Sequence, residues 1–462
     1  MGLKGGEHGP KAVLQAQFQT AFCACPTLQN VRERVGVERS ETLAVLDGNV
    51  MVMAIPQVVY LFHEYVDVLI SQIAPALETA KHVVVVFDEP YAMTRAKTEE
   101  QRARDARRTI KTPLCSDDLV ACIKTDEYDE ASLRADGCNV RLLMDHRAAR
   151  PRFYDALCAA VLDHFEKTTT AETSEWSLSF DGIDVRGANR PFGERRVAGI
   201  LSNNSELWVP LLAREVPIGE GDLKLPDVAQ RVHDAALLDD HPLKGVVLNL
   251  LCTIDTDSLV IELLKQTSRL ARPDARDRNE LTVLCLREPS RKRKGDDFIT
   301  PARYLCCNMA TLHTAVCNNL YGTSNLSDSV AATKPAAVAL LVGALASCGC
   351  DFLEVKGTRA DVMIDVVREI VQKKPYVLGQ IMNVFDPDPA KMLLAKTAIS
   401  TVLEDYVDKI SFLPRMQRSV ASAKTSICDA QVLRAVWVVA YWLGREFKNT
   451  HEWGFASTSV GV

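Results

Sequence analysis

Several features that mark other protein classes are missing from this 462-residue chain. No paired C-x-x-C stands at zinc-site spacing, and the 9 histidines form no ligand pattern, which excludes the familiar zinc modules. No apolar run reaches the roughly 18 residues that a membrane-spanning helix needs, and no early stretch has the layout of a signal peptide. We therefore expect an intracellular protein, cytoplasmic or nuclear, with no membrane partner and with its 14 cysteines reduced.

A strong excess of basic charge is also missing, because 54 basic residues stand against 60 acidic ones and the net charge is −6. Any binding of nucleic acid must then come from local clusters of basic residues. One cluster is a short predicted helix, RAKTEEQRARDARR (95 to 108). A second, RKRKGDD (291 to 297), lies between two strand-like stretches and is predicted to be an exposed hairpin loop, with a nuclear import signal or a nucleic-acid contact as alternatives.

Acidic residues follow apolar, strand-like runs in five places along the chain. The runs are LAVLDGNVM (43 to 51), HVVVVFDEP (82 to 90), VPIGEGDLKL (216 to 225), LCTIDTDSLV (251 to 260) and SCGCDFLEV (347 to 355). Most look like short buried parallel strands, whose carboxyl ends meet at one edge of a sheet, where ligands bind. The acids at these ends are Asp47, Asp88, Glu220, Asp222, Asp255, Asp257 and Asp351.

So many carboxylates in one place would repel one another unless cations neutralised them, and oxygen ligands favour hard ions such as Mg²⁺ or Mn²⁺. A single Asp after a strand is more often a turn former or a helix N-cap than a metal ligand. The pairs Asp255/Asp257 and Glu220/Asp222 are more informative, because carboxylates two residues apart at a strand end can converge on one ion. Together the seven acids predict a two-metal phosphodiesterase.

The order and surroundings of these acids resemble the 5′ nuclease superfamily, which includes the XPG/flap endonucleases and the Xrn 5′→3′ exoribonucleases. The opening MGLKG is similar to the flap-endonuclease start, and REVPIGEGDLKL (214 to 225) is similar to the Xrn element E-V-P-G-E-G-E-H-K-I. FHEYVDVLISQIAPA (62 to 76), VVVVFDEP and the basic helix follow the Xrn order, and GCDFLEVKG (349 to 357) resembles a step of both branches.

The resemblance implies an α/β fold with a PIN-like 5′-nuclease core, in which helices flank a central, mostly parallel sheet. The implied divisions are 1–110 and 201–300 for the two halves of the core, 111–200 for a cap or arch-like insertion, 301–400 for a helical region with a degenerate helix-turn-helix, and 401–462 for C-terminal helices. The aromatic-rich apolar helix near residue 437 is predicted to be core.

The resemblance also implies residue roles, in which two ions about 4 Å apart straddle the scissile phosphate. Asp88, Glu220, Asp222 and Asp255 would hold the first ion, Asp257 and Asp351 the second, and Asp47 would act at the first site or through water. Lys97 or Arg104 would neutralise charge on the phosphate; Arg95 and Arg102 fit the same spacing, so the register stays open. The catalytic candidates are Asp88, Lys97, Arg104 and Asp255, and the further candidate substrate contacts are Gly2, Gln101, Arg108 and Lys224.

Departures from both branches leave the substrate open. Met53 stands where Xrn enzymes have a base-stacking His, Asp105 replaces a second phosphate-pocket Arg, and EVKGTRADV (354 to 362) lacks the flap-endonuclease turn. No clamp-binding tail is visible. We expect a 5′→3′ nuclease acting on single-stranded or 5′-flapped nucleic acid, with RNA slightly favoured. The alternatives are a DNA flap endonuclease of replication or repair, a host-shutoff-type RNA endonuclease and, from a different class, an inactive nucleic-acid-binding scaffold.

Overall fold

A computed structural model of the chain describes residues 7–56, 58–59, 61–89, 149–168, 176–182, 196–197, 199–215, 218–238, 240–270, 280–288, 291–292, 299–300, 302–322, 333–350, 358–386, 388–411 and 429–444. Eight predicted site residues lie outside these ranges: Gly2, Arg95, Lys97, Gln101, Arg102, Arg104, Arg108 and Asp351. Most of the insertion predicted for 111–200 lies outside them as well.

The strands are β1 (Phe22–Cys25), β2 (Thr42–Asp47), β3 (His82–Val86), β4 (Ser177–Asp181), β5 (Arg196–Val197), β6 (Ile200–Ser202), β7 (Leu248–Thr253), β8 (Leu281–Glu288), β9 (Arg291–Lys292), β10 (Ile299–Thr300) and β11 (Arg303–Asn308). In the described part of the chain, nine strands form one mixed sheet in the order β1-β11-β8-β7-β2-β3-β4-β6-β5, and β9 pairs with β10. Neighbours from β8 to β4 are parallel, whereas the pairings at both edges are antiparallel.

The helices are α1 (Pro10–Gln17), α2 (Leu28–Val35), α3 (Gly48–Met53), α4 (Phe62–Thr79), α5 (Ala149–Thr168), α6 (Ser205–Leu212), α7 (Gly221–Ala236), α8 (Asp257–Leu270), α9 (Met309–Tyr321), α10 (Lys334–Ala346), α11 (Ala360–Lys373), α12 (Tyr376–Ile381), α13 (Pro389–Met392), α14 (Lys396–Ser411) and α15 (Asp429–Trp442). Short 3-10 turns span Gln19–Ala21, Arg39–Glu41, Met382–Phe385 and Leu393–Ala395. The α/β class predicted from the sequence is confirmed, and the parallel arrangement holds for the centre of the sheet.

Both faces of the sheet are apolar, so its central strands are covered by helices on two sides. Along β2, Leu43 and Val45 belong to one buried cluster, while Ala44 and Leu46 belong to the other. The first cluster includes residues of α1 and of α6 to α15, and the second includes residues of α2 to α5. This burial on both faces explains why the central strands read as continuous apolar runs.

The structure tests three sequence predictions: the helical range from residue 301, the hairpin around the basic run and the core helix near residue 437. The range from residue 301 was predicted to be helical, but β11 (Arg303–Asn308) pairs with β8 and extends the sheet, so the helices of this region begin at Met309. The antiparallel pairing of β8 with β11, with β9 and β10 between them, confirms a hairpin around the basic run. Helix α15 is core as predicted, since Trp437 and Trp442 are buried.

Within the ranges given above, no helix is both long enough and apolar enough to cross a lipid bilayer.

Candidate active site

The connections between the central strands change direction at β2, which lies in the middle of the parallel part of the sheet. The chain proceeds from β2 to β3 and β4 on one side, and then returns to β7 and β8 on the other. A switch point of this kind leaves a crevice between β2 and β7 at their carboxyl ends, where α/β proteins bind ligands. Asp47 is the last residue of β2, and Asp255 follows the end of β7 by two residues.

Asp47 is held in a fixed orientation at this crevice. It is the N-cap of α3, and the backbone N–H of Val50 donates to its Oδ1 at 3.2 Å. The hydroxyl of Thr253, the last residue of β7, donates to its Oδ2 at 3.0 Å. Each carboxylate oxygen of Asp47 therefore has one donor, and further lone pairs remain for another partner.

Asp88 connects the end of β3 to the first turn of α7. The backbone N–H of Gly221 donates to Asp88 Oδ1 at 2.8 Å. Glu220 is the N-cap of α7, and Asp222 lies in its first turn. The sequence pattern predicted that these two acids stand at the end of a strand, and this prediction was wrong, because they stand at the start of a helix. The two glycines that flank Glu220 disfavour a strand, and carboxylates are stabilised near a helix N-terminus by its macrodipole.

The start of α8 supplies the remaining acids. The N–H of Asp255 donates to Thr253 Oγ1 at 3.1 Å, and the N–H of Asp257 donates to Asp255 Oδ1 at 3.1 Å. The hydroxyl of Ser258, in the first turn of α8, donates to Asp222 Oδ1 at 3.1 Å. These bonds connect the loop after β7 with the starts of α7 and α8, so the acids of three segments share one region.

The charges of these acids act on one another. Burial, followed by the charges of Asp88 and Asp255, raises the pKa of Asp47 to about 7, although its hydrogen bonds oppose the change. Burial also raises the pKa of Asp222 well above its usual value, and the charges of four neighbours add to the effect: Asp255, Asp47, Glu220 and Asp257. The structure thus brings together six of the seven predicted acids, and the seventh, Asp351, lies outside the described residues.

The donor set fits a hard divalent cation, because all six side chains present carboxylate oxygens and no sulfur or imidazole. Among the described residues, no group of three or more His, Cys, Asp or Glu side chains is already arranged to hold an ion. The carboxylates instead accept hydrogen bonds from Val50, Thr253, Gly221, Asp257 and Ser258. An ion would use the lone pairs that these donors leave available and would offset the repulsion between the acids.

Sequence reasoning missed several neutral residues of this region. Thr253 and Ser258 orient Asp47 and Asp222, and Asn49 lies beside Gly221. Asn49 Oδ1 accepts from the hydroxyl of Tyr154 at 3.1 Å, and Asn49 Nδ2 lies 3.3 Å from the point where a Cβ of Gly221 would stand. Asn49 and Thr253 each stand two residues from a predicted acid in the sequence, which was the available signal.

A buried ionic network lies beside the acids. Lys224 is 0% exposed, and its Nζ donates to Glu89 Oε1 at 2.7 Å and to Asp181 Oδ1 at 3.4 Å. Arg214 donates to the other oxygen of Asp181 at 2.7 Å and to Asp227 Oδ2 at 2.7 Å. Burial alone would raise the pKa of Asp181, but the charges of Lys224 and Arg214 lower it below its usual value. The predicted substrate contact Lys224 is therefore engaged with two carboxylates.

Lys224→Met should lower the free energy of unfolding by about 3–5 kcal/mol, because it removes one of the two cations that compensate the buried carboxylate of Asp181 and leaves only Arg214 there. The matched control is Lys373→Met, which breaks a pair with Glu369 in which the side chains are 71% and 51% exposed. Such exposed pairs contribute only about 0–1 kcal/mol. Chemical denaturation of both variants measures the difference. Equal, small losses would show that the Lys224 network does not stabilise the fold.

Comparisons with known proteins give no family assignment, since no protein-family model and no curated protein matches the chain.

Proposed function

We propose that the chain is a divalent-metal-dependent 5′ nuclease with a PIN-like core, which hydrolyses phosphodiester bonds near the 5′ end of single-stranded or flapped nucleic acid, with RNA slightly favoured. One observation carries the proposal: six carboxylates from the ends of β2, β3 and β7 and from the starts of α7 and α8 converge at the switch point of the sheet. Their order along the chain resembles that of the 5′ nuclease motifs.

Asp88, Glu220, Asp222 and Asp255 are the residues that would hold a first Mg²⁺ or Mn²⁺ ion, and Asp257, together with Asp351, those that would hold a second. When bound, such ions lower the pKa of an attacking water and stabilise charge on the phosphate and the leaving oxygen. The chain itself orients Asp47 through Thr253 and Val50, and it keeps the space beside Asp47 and Asp88 clear by placing Gly221 there. Asn49 Nδ2 lies beside the same space, and in this proposal it would donate to a phosphate oxygen.

Nucleic acid is proposed as the substrate because of the motif order and the basic run at 95–108, which lies outside the described residues. If this run is the helix that the sequence predicts, a Lys and an Arg seven residues apart would share one face and neutralise charge on the phosphate. The candidates for this pair remain Lys97 with Arg104, or Arg95 with Arg102.

The proposal is tested by incubating the protein with 5′-labelled substrates in Mg²⁺ or Mn²⁺. The panel contains single-stranded RNA with a 5′-phosphate or a 5′-hydroxyl, single-stranded DNA, and a DNA flap. Mononucleotide release from 5′-phosphorylated RNA is the expected result, while one cut at the flap junction would identify a DNA flap endonuclease. Internal cuts in RNA, whatever its 5′ end, would identify an endonuclease of the host-shutoff type. Absence of cleavage across the panel would contradict the proposal and leave a binding protein.

Asp47→Asn should stabilise the protein at pH 8 when EDTA removes divalent ions. The pKa of Asp47 is raised from 3.8 to about 7 in the folded protein, so ionised Asp47 costs stability. Its cost is absent below pH 4, grows as the pH rises from about 4 to about 7, and is complete above that. The Tm of Asp47→Asn should therefore exceed that of the wild type at pH 8 and match it at pH 4. Saturating Mn²⁺ should reverse the difference at pH 8, and a wild type that is more stable in EDTA would contradict the prediction.

A further inference from the structure

A row of cysteines crosses four neighbouring strands outside the acidic site. Cys252 on β7 stands opposite Cys285 on β8, Cys285 stands opposite Cys306 on β11, and Cys306 stands opposite Cys23 on β1. Cys25 follows Cys23 by two residues on the same strand and so points to the same face. We call these five residues the thiol row, and all five thiols are free.

Two pairs of sulfur atoms in the thiol row lie close together. Cys23 Sγ lies 3.9 Å from Cys25 Sγ, and the thiol of Cys306 donates to Cys285 Sγ at 3.9 Å. Cys23 is half-buried, whereas the other members are buried, so a small solute from solvent meets Cys23 first. A hydrogen bond with Cys285 lowers the pKa of Cys306 despite its burial, while burial raises the pKa of Cys25 to about 12.

The facing pair Cys23 and Cys306 meets the backbone requirement of a disulfide. Residues that stand opposite each other in antiparallel strands have Cα atoms about 4.5–5.5 Å apart. Disulfides need a Cα separation of about 4.4–6.8 Å, so the strand pairing places these two residues within the Cα range of a disulfide. The hydrogen bond with Cys285 lowers the pKa of Cys306 and so favours its thiolate, which is the form that attacks another sulfur.

We propose that Cys23 and Cys306 form an oxidation site, at which a hydroperoxide such as hydrogen peroxide converts the two thiols into a disulfide. The Cys23 thiolate attacks the peroxide, the O–O bond breaks, and Cys23 becomes a sulfenic acid while one water leaves. The Cys306 thiolate then attacks the Cys23 sulfur, the S–O bond breaks, and a second water leaves. Overall, two thiols and one hydrogen peroxide give one disulfide and two waters, with two electrons passing from sulfur to oxygen. The site is independent of the proposed nuclease activity.

The thiol row also reaches the acidic site. Cys252, its member on β7, lines a cavity of about 40 Å³ together with Asp47 and Thr253. Cys285 lies between Cys252 and the oxidation site, and it is the thiol placed to exchange with a disulfide at Cys306.

The test treats the full-length protein with hydrogen peroxide, alkylates the remaining thiols and maps the peptides by mass spectrometry. The expected product is an intramolecular Cys23–Cys306 disulfide, or the Cys285–Cys306 disulfide that exchange would form from it, either of which dithiothreitol reverses. Cys23→Ser should abolish both products, and Cys306→Ser should leave Cys23 as a sulfenic acid that dimedone traps. Circular dichroism checks that each variant is folded.

Cys317→Ser, which changes a buried cysteine of α9 outside the thiol row, is the matched control and should leave the disulfide unchanged. Four results would overturn the proposal: a Cys23–Cys25 disulfide, an intermolecular disulfide, oxidation of Cys23 with no disulfide in the wild type, or unchanged products in Cys23→Ser. Each readout is a mass, so the test succeeds or fails whether or not the chain cleaves nucleic acid.

Discussion

Asp255→Asn and Asp257→Asn are each expected to lower the rate of nucleic-acid cleavage by more than about 100-fold. Changing a residue that only hydrogen-bonds to a metal ligand already lowers metal affinity or activity by about 10–100-fold, and these two residues are proposed to be ligands themselves. Both residues lie in the loop and helix start after β7, where Asp255 Oδ1 accepts from the N–H of Asp257. Asn keeps the size of the side chain and one oxygen, so the local fold should persist. Nucleic-acid binding should change little, because contacts to the phosphates are proposed to come from basic residues, which neither substitution alters.

Single-turnover cleavage and fluorescence anisotropy, measured in the same Mg²⁺ buffer, separate catalysis from binding. Asp234→Asn is the matched control, since Asp234 is an exposed acid of α7 outside the acidic cluster. It should keep the wild-type rate. Near-normal cleavage by Asp255→Asn and Asp257→Asn would remove these acids from the mechanism, and parallel loss of binding would indicate a structural role.

Gly221→Ala is expected to lower the cleavage rate by about 10–100-fold, the range seen when groups that support a metal site are changed. A Cβ at this position would lie 3.4 Å from Asp88 Oδ1, 3.8 Å from Asp47 Oδ1 and 3.3 Å from Asn49 Nδ2. A methyl group there would occupy the space between two carboxylates that must approach an ion. The free energy of unfolding should not fall along with the cleavage rate, because Ala is favoured over Gly in a helix by about 1 kcal/mol.

Gly379→Ala is the matched control for this variant. Gly379 also lies in a helix, α12, and a Cβ there would meet nothing within 4 Å. Neither variant should have a lower Tm than the wild type, while only Gly221→Ala should lose activity and bind Mn²⁺ more weakly. Equal activity in the two variants would mean that the space beside Asp88 is not part of the catalytic site.

The parts of the site that follow buried strands were predictable from the sequence. The runs before Asp47, Asp88 and Asp255 are continuous and apolar, and such runs indicate parallel strands whose ends share an edge. Glu220 and Asp222 were assigned to a strand end and are found at the start of α7, because the apolar run before them was read as a strand although the glycines that flank Glu220 disfavour one.

Other features depend on contacts between distant parts of the chain. The pairing of Lys224 with Asp181 joins residues 43 positions apart. Strand β11 was predicted only in part: the stretch after the basic run was read as strand-like, but the range from residue 301 was assigned to helix, because a short apolar stretch has no period that separates strand from helix. The neutral donors Thr253 and Ser258 have no charge pattern, so their position beside Asp47 and Asp222 emerges only when the strands and helices are packed.

Isothermal titration of the wild type with Mn²⁺ tests the central claim most directly, since the six carboxylates are proposed to form a divalent-metal centre and the measurement needs no substrate. We predict binding of two ions to the wild type and loss of at least one of them in Asp255→Asn, with Asp234→Asn unchanged. Absence of Mn²⁺ binding at millimolar concentrations, or equal binding by the wild type and Asp255→Asn, would contradict the account.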